Sequence, residues 1–399
     1  MPGGRLLPTT TSPAEPAGPR WGGFALACTA YLAASVGESL LSPIFPTAAE
    51  DLGLDLTLGG VAFGVLTASI AVANLVSGSL LPRVGATRMI RRSALLSATG
   101  GIVAATAQSF PQLVLAQVLL GAGSGLYFPA GIQAVGLLAG PRRKGFAMGI
   151  FGVAFSGGLA IAAVLAALGA DHGWRLPFGL SALLSVVAAV STLGLRTPPV
   201  TEVGGRLQVR EALTTPTAVG CVNTVSQYGT VSYLAVFAVD QWGLTAAAAA
   251  SVLAVGRVLS IAAKLISGAG ADRRGPRVSA RRIAAVLTVA GLGWSLLPAS
   301  PVAYALAAVF AGTASSLAPV ANVLALERFG QQGGALGLFR SIQIAAGALA
   351  TFLVGVLADL VGLRPVLAVA TLLPLSLFWI CREPPGPSAS GANKPNRSG

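Results

Sequence analysis

Charge is what this sequence lacks most. Of its 399 residues only 10% are Asp, Glu, Lys or Arg, against about 25% in a soluble globular protein. That shortage excludes a soluble enzyme and a solvated disordered scaffold. Histidine occurs once, as His172 beside Asp171 in a short loop, so a His-based metal or catalytic cluster is excluded. Cysteine occurs three times: Cys28 and Cys221 lie inside apolar runs and Cys381 ends one. An odd number so placed is no disulfide framework, and no pair has metal-ligand spacing. A phosphate-binding GxxxxGK[ST] loop is also missing. The sequence therefore calls for no metal, no cofactor and no enzymatic activity.

What is present is apolar. Hydrophobic residues make up 54% of the chain and glycine contributes 51; the mean hydropathy is +0.76. Twelve apolar stretches are read near 23–45, 58–81, 93–110, 113–138, 146–169, 176–195, 216–239, 246–268, 283–299, 301–325, 335–358 and 365–381. At about 1.5 Å per residue each spans a hydrocarbon core of about 30 Å, the shorter ones only just. The first stretch is too long for a signal-peptide core and reads as an uncleaved helix.

The net charge of +13 is explained by topology. Arg83, Arg88, Arg91, Arg92, Arg143, Lys144, Arg273, Arg274, Arg277, Arg281, Arg282 and Arg328 fall at one set of ends, along with the basic residues of both termini. Arg175 and Arg364 stand alone at the other, where Glu50, Asp51, Asp55, Asp171, Asp240 and Asp359 collect. By the positive-inside rule both termini are cytoplasmic, in a plasma (inner) membrane protein. The basic excess then argues for a lipid bilayer and against nucleic acid as partner.

The two halves repeat. Gly53 and Gly243, and the trio Gly78, Arg83 and Gly85 with Gly268, Arg273 and Gly275, share an offset of 190; Gly149 pairs with Gly337 and Gly173 with Gly362 at nearly the same offset. An even number of spans per half makes the repeats parallel. The organisation expected is a disordered tail over 1–20, a six-helix bundle over 21–195, a cytoplasmic linker over 196–215, a second bundle over 216–382 and a disordered tail over 383–399.

The loop Gly268, Asp272, Arg273, Gly275 and its copy Gly78, Arg83, Gly85 resemble the G-x-L-A-D-R-x-G-R signature of the major facilitator superfamily. Gly173-Trp174-Arg175 followed by Pro177-Phe178 resembles that family's GWRWPF turn. The resemblance covers about residues 21–382. It implies an all-α membrane fold, twelve helices in two parallel six-helix repeats around a central cavity, and a loop that holds the halves together when the carrier faces outward. Asp272 is suited to cap the start of helix 9 or to pair with a nearby Arg. Three departures stand out. Pro82 occupies the Asp place of the first loop. Gln117 stands where helix 4 of the family has Arg. Helix 5, from Gly152 through Ser156 to Gly158, resembles the antiporter motif without its proline. The remaining glycines are read as close-packing positions.

Four ionisable groups fall inside the spans: Glu38, Arg257, Lys264 and Arg340. Each costs roughly 2.5–3.5 kcal/mol at mid-span on insertion scales, so each is a functional candidate. Glu38 is the candidate proton-coupling group, with a structural hydrogen bond as its alternative. Arg257 and Arg340 are candidate anion ligands, since a guanidinium presents a planar fork to a carboxylate; gating or pairing is their alternative. Lys264, about 6 Å from its helix end, is expected to snorkel. On helix 7, Asn223, Gln227, Thr230 and Tyr233 follow helical spacing, with Tyr228 adjacent. Asn223, Gln227, Tyr228 and, on helix 4, Tyr127 complete the substrate-site candidates.

These features describe a monomeric secondary transporter that moves a small-molecule solute by alternating access, driven by protons. Efflux of a drug or metabolite stands slightly ahead. Uptake or exchange of a small organic anion held by Arg257 and Arg340 is the alternative, and a non-transporting membrane sensor is a remote one.

Overall fold

In a computed structural model, residues 20–54, 56–140, 143–198, 212–244 and 246–382 are described. Most of the expected linker and both tails lie outside them. The described regular structure is helical throughout and forms twelve rods. α1 runs Trp21–Ser39 and resumes as Leu41–Leu52; α2 is Leu56–Val84, α3 Ala86–Ala105, α4 Phe110–Leu138, α5 Lys144–His172 and α6 Arg175–Ser191. In the second half α7 begins at Thr215–Thr224 and ends at Leu234–Trp242; α8 is Ala246–Arg274 and α9 Pro276–Leu296. α10 runs Pro301–Thr313 and resumes at Leu317–Phe329, α11 is Gly333–Val361, and α12 begins at Leu363–Ala370 and ends at Leu377–Ile380.

Among the described residues, eight rods are long and apolar enough to cross a membrane. The other four are α1, α7, α3 and α9; the last two open on arginine clusters (Arg88, Arg91, Arg92; Arg277, Arg281, Arg282) that lower the mean hydropathy. Side chains such as Val258, Ile266, Phe352 and Leu360 are largely exposed on the outside of the bundle. That surface suits lipid, while each rod satisfies its own backbone.

The repeat has a backbone cause. The paired glycines take matched left-handed conformations: φ is 63° at Gly53 and 65° at Gly243, 82° at Gly85 and 85° at Gly275, 92° at Gly173 and 90° at Gly362. Each pair turns the chain between equivalent rods, and a side chain there would be strained.

The halves meet along two seams, α2 against α11 and α5 against α8. Glycine permits both. A Cβ on Gly78 would strike the Gly333 backbone, and one on Gly268 would strike the Gly145 carbonyl. Both contacts lie at the end of the molecule that carries the basic loops. The glycines of α4 behave as expected: Gly121 and Gly125 lie against the α2 backbone at Leu66 and Ile70, and Gly123 against Ser97 of α3.

Candidate functional site

A central cavity of about 40 Å³ lies between the halves. α1 supplies Tyr31, α4 Phe128, α5 Phe151, Gly152 and Phe155, α7 Asn223, Thr224, Gln227 and Tyr228, α8 Lys264, α10 Ser315, Pro319 and Asn322, and α11 Arg340 and Gln343. Two basic side chains line it, and no carboxylate does among the described lining residues. A larger recess of about 790 Å³ sits at the basic end between Thr214, Arg277, Glu327 and Arg328. It is far from the intramembrane charges, and its mixed-sign rim offers no comparable chemistry.

Lys264 overturns an expectation. It does not snorkel: only 3% of it is exposed. Its Nζ donates to the Ser156 hydroxyl and, at 3.3 Å, to the Gly152 carbonyl, both on α5 of the opposite half. The Phe155 ring lies 5.8 Å from the ammonium. The reason is positional. Lys264 and Gly268 share one helix face, and Gly268 seats that face against α5, so the side chain is directed into the seam rather than along it to water. Among the described residues, only neutral oxygens accept from it.

Arg340 is half-buried on α11. Its guanidinium covers the Phe128 ring at 4.1 Å, and Nη1 reaches Gln343 Oε1 at 3.4 Å. It is a charged neighbour of Glu38, Tyr31 and Tyr228. Glu38 accepts a hydrogen bond from the Ser124 hydroxyl of α4 and sits beside the cavity, outside its lining. Arg257 also lies outside the lining. It is exposed on α8, two turns or about 10.5 Å from Lys264 toward the acidic end, and its charge reaches Lys264 and Tyr228.

Helix 7 is less regular than its sequence spacing implies. A π-type turn over Val225–Thr230 and a tight turn over Val231–Tyr233 interrupt it, which rotates everything beyond Thr224 out of the assumed register. Asn223, Gln227 and Tyr228 still reach the cavity. Thr230 is buried away from it, and the Tyr233 hydroxyl donates to the Thr351 carbonyl of α11 at 2.8 Å. Tyr127 supports the cavity wall and does not line it, contrary to expectation. It is fully buried, its hydroxyl donates to the Ala27 carbonyl at 2.6 Å, and its ring stacks at 4.8 Å behind Tyr31. Sequence reasoning missed Gln343. Its position one turn beyond Arg340 on the same helix was the available signal.

The signature loops differ between halves. Asp272 does not cap helix 9, and among the described residues it pairs with no arginine. Its carboxylate accepts from the backbone N–H groups of Gly145, at 2.7 Å, and Phe146, at 2.8 Å, at the start of α5. α9 instead begins on Pro276, which needs no N–H partner. Asp272 thus caps a helix of the other half, where the helix dipole favours a negative charge. In the first loop Pro82 leaves the start of α11 with no side-chain cap. That seam closes through Gly78 against Gly333 and Gly337, and through Gln133 Nε2 donating to the Gln331 carbonyl. Arg83 and Arg273 are exposed beside these contacts.

A model of the Major Facilitator Superfamily matches residues 27–350. The chain belongs to that family. Fold comparison agrees: the structure of FucP, a transporter of this superfamily in the outward conformation, aligns with a TM-score of 0.77 at 17% identity, covering 90% of this chain and 97% of that one. The human organic anion transporter MFSD10 aligns at 0.74 and 17%, covering 92% and 100%. Sequence relatives from Escherichia coli include a 3-(3-hydroxy-phenyl)propionate transporter, 29% identical over 34% of this chain and 38% of that protein, and a probable L-galactonate transporter, 30% identical over 38% and 34%. The chain therefore matches little more than a third of these curated relatives' length. It is a multi-pass membrane protein of the superfamily.

Proposed function

We propose that this transporter carries a small organic anion, bound in the central cavity by Lys264 and Arg340. One observation carries the reading: two basic side chains line a cavity that, among the described residues, offers Lys264 no acidic partner and has no carboxylate in its lining. A cationic drug would meet repulsion there, and a carboxylate would satisfy both groups with charge-assisted hydrogen bonds. Several relatives are transporters of anions (hydroxyphenylpropionate, galactonate and nitrate), which supports an anion here, although one relative is a multidrug resistance protein. The anion reading therefore replaces drug efflux as the preferred one. Arg257, on the acidic-end side of Lys264, is a first point of attraction for the incoming anion.

The residues 21–195 and 216–382 act as two rocking bundles in a monomer. The basic end faces the cytoplasm of the inner membrane, and the closed seams there describe a state accessible from outside. Glu38 takes up and releases the coupling proton. A thermal-stability screen of the detergent-purified protein tests the substrate class, since a ligand that binds the folded state raises the melting temperature. Carboxylates that stabilise the wild type and fail with Arg340→Gln and Lys264→Gln support the reading. Stabilisation by lipophilic cations alone would sink it.

A further inference from the structure

Two buried polar atoms at the cavity wall lack hydrogen-bond partners among the described residues, and they are complementary. Asn223 Oδ1 is an acceptor and Gln343 Nε2 a donor. Each residue is only 3% exposed, and both line the cavity beside Arg340. The orientation of Gln343 is set by its surroundings: Oε1 accepts from Arg340 Nη1 at 3.4 Å, which turns the Nε2 side away from the cation. Gln343 packs on the stretch of α7 that carries Asn223. Gln343 lies across Gly220, where any Cβ would collide with its carboxamide, and its backbone carbonyl accepts from Thr224 Oγ1 at 2.8 Å. Asn223 sits between those two positions on α7.

A hydroxyl is the small group that answers both atoms, because it donates once and accepts as well. A carboxylate answers only one of them: it can accept from Gln343 Nε2 but cannot donate to Asn223 Oδ1. A ligand held at its carboxylate by Arg340 and Lys264 would bring a neighbouring part of its skeleton to this pair. We propose that Asn223 and Gln343 read a hydroxyl, so that the preferred substrates are hydroxylated carboxylates rather than plain ones; this rests on the anion reading above. The physical basis is asymmetry of cost. A site built to bond a hydroxyl rejects the analogue that lacks it, since binding the analogue expels water and leaves buried polar atoms unpaired.

The test measures equilibrium binding by calorimetry on the full-length purified protein with matched pairs: mandelate and phenylacetate, 3-hydroxybutyrate and butyrate, 3-(3-hydroxyphenyl)propionate and 3-phenylpropionate. The hydroxylated member of at least one pair is expected to bind roughly tenfold tighter or more. That ratio should collapse toward one in Asn223→Leu and in Gln343→Met, two variants on different helices, so that misfolding of one does not decide the matter. Pairs that bind the wild type within twofold of each other would overturn the inference and leave the anion reading standing, with the two amides satisfied by water. A ratio that survives both substitutions would overturn it too. Failure of every carboxylate to bind the wild type would overturn the anion reading, and this inference with it.

Discussion

Asp272 accepts a hydrogen bond from the backbone of Gly145 at 2.7 Å, joining the last turn of α8 to the first turn of α5 in the opposite half. A second bond, from Phe146, completes the cap. Charge-assisted bonds of this kind are each worth about 1.5–3 kcal/mol, although the exposure of Asp272 places this pair toward the lower end. Asp272→Ala is expected to loosen the α5–α8 seam and shift the population toward the state open at the basic end. In a background lacking native cysteines, a cysteine at Gln331 should be alkylated several-fold faster in the variant. Unchanged labelling would remove Asp272 from the gate.

Pro82→Asp addresses the other seam. α11 starts without a side-chain cap, and a carboxylate at the end of α2 is placed as Asp272 is placed at the end of α8. The variant should close the basic end more tightly, with a melting temperature raised by a few degrees and slower turnover. A lower melting temperature would mean that the proline serves the turn at Gly85 instead.

Lys264 separates binding from scaffolding by substitution. Lys264→Met keeps the stem in the α5–α8 seam and removes the charge. Losing a charged hydrogen bond of about 1.5–3 kcal/mol weakens binding by roughly ten- to a hundredfold. The half-saturation concentration for carboxylates should rise by that factor, with little change for neutral analogues. A rise common to both would assign Lys264 to the packing of the seam.

Glu38→Gln should abolish transport driven by a pH gradient while exchange of internal for external substrate continues, because exchange needs no net proton movement. Both activities can be read from proteoliposomes. Gradient-driven transport at the wild-type rate would assign the Glu38 bond with Ser124 to structure alone.

Asp51 makes a pH prediction at the acidic end, outside the apolar spans. The Trp174 indole N–H, at 3.1 Å, and then Arg175, at 2.9 Å, hold its carboxyl below the usual carboxylate range. A depressed folded-state value means that this tie contributes fully above the ordinary carboxylate range, near pH 4, and is lost as pH falls through the lower folded value. The wild type should therefore lose melting temperature between about pH 4 and pH 2 more steeply than Asp51→Asn. Parallel curves would show that Asp51 contributes nothing there.

Much of the architecture was legible from composition and spacing. A bilayer permits few spanning structures, so long apolar runs separated by basic loops translate into rods almost without ambiguity. The glycine pairs Gly53 and Gly243, Gly85 and Gly275, and Gly173 and Gly362 were visible as a repeat because a left-handed turn leaves its mark on residue type. Arg340 and Asn223 were found for a related reason: a charge or amide inside an apolar run is expensive and therefore conspicuous. The sequence by itself thus determined the membrane class, the twofold repeat and part of the set of buried polar groups, Gln343 excepted.

Which groups meet was decided only by packing between helices distant in the chain. Lys264 reads as a snorkelling residue until Gly268 seats its face on α5. Asp272 reads as a cap for the helix that follows it until α5, more than a hundred residues earlier, presents its free N–H groups. The irregular turn at Val225–Thr230 moves Thr230 and Tyr233 away from a face they share only on an ideal helix. Gln343 gains its significance from Gly220 on another rod. Helical periodicity records which side of one rod is polar, but the partner across a seam depends on how two rods cross, and that is a property of the assembled bundle.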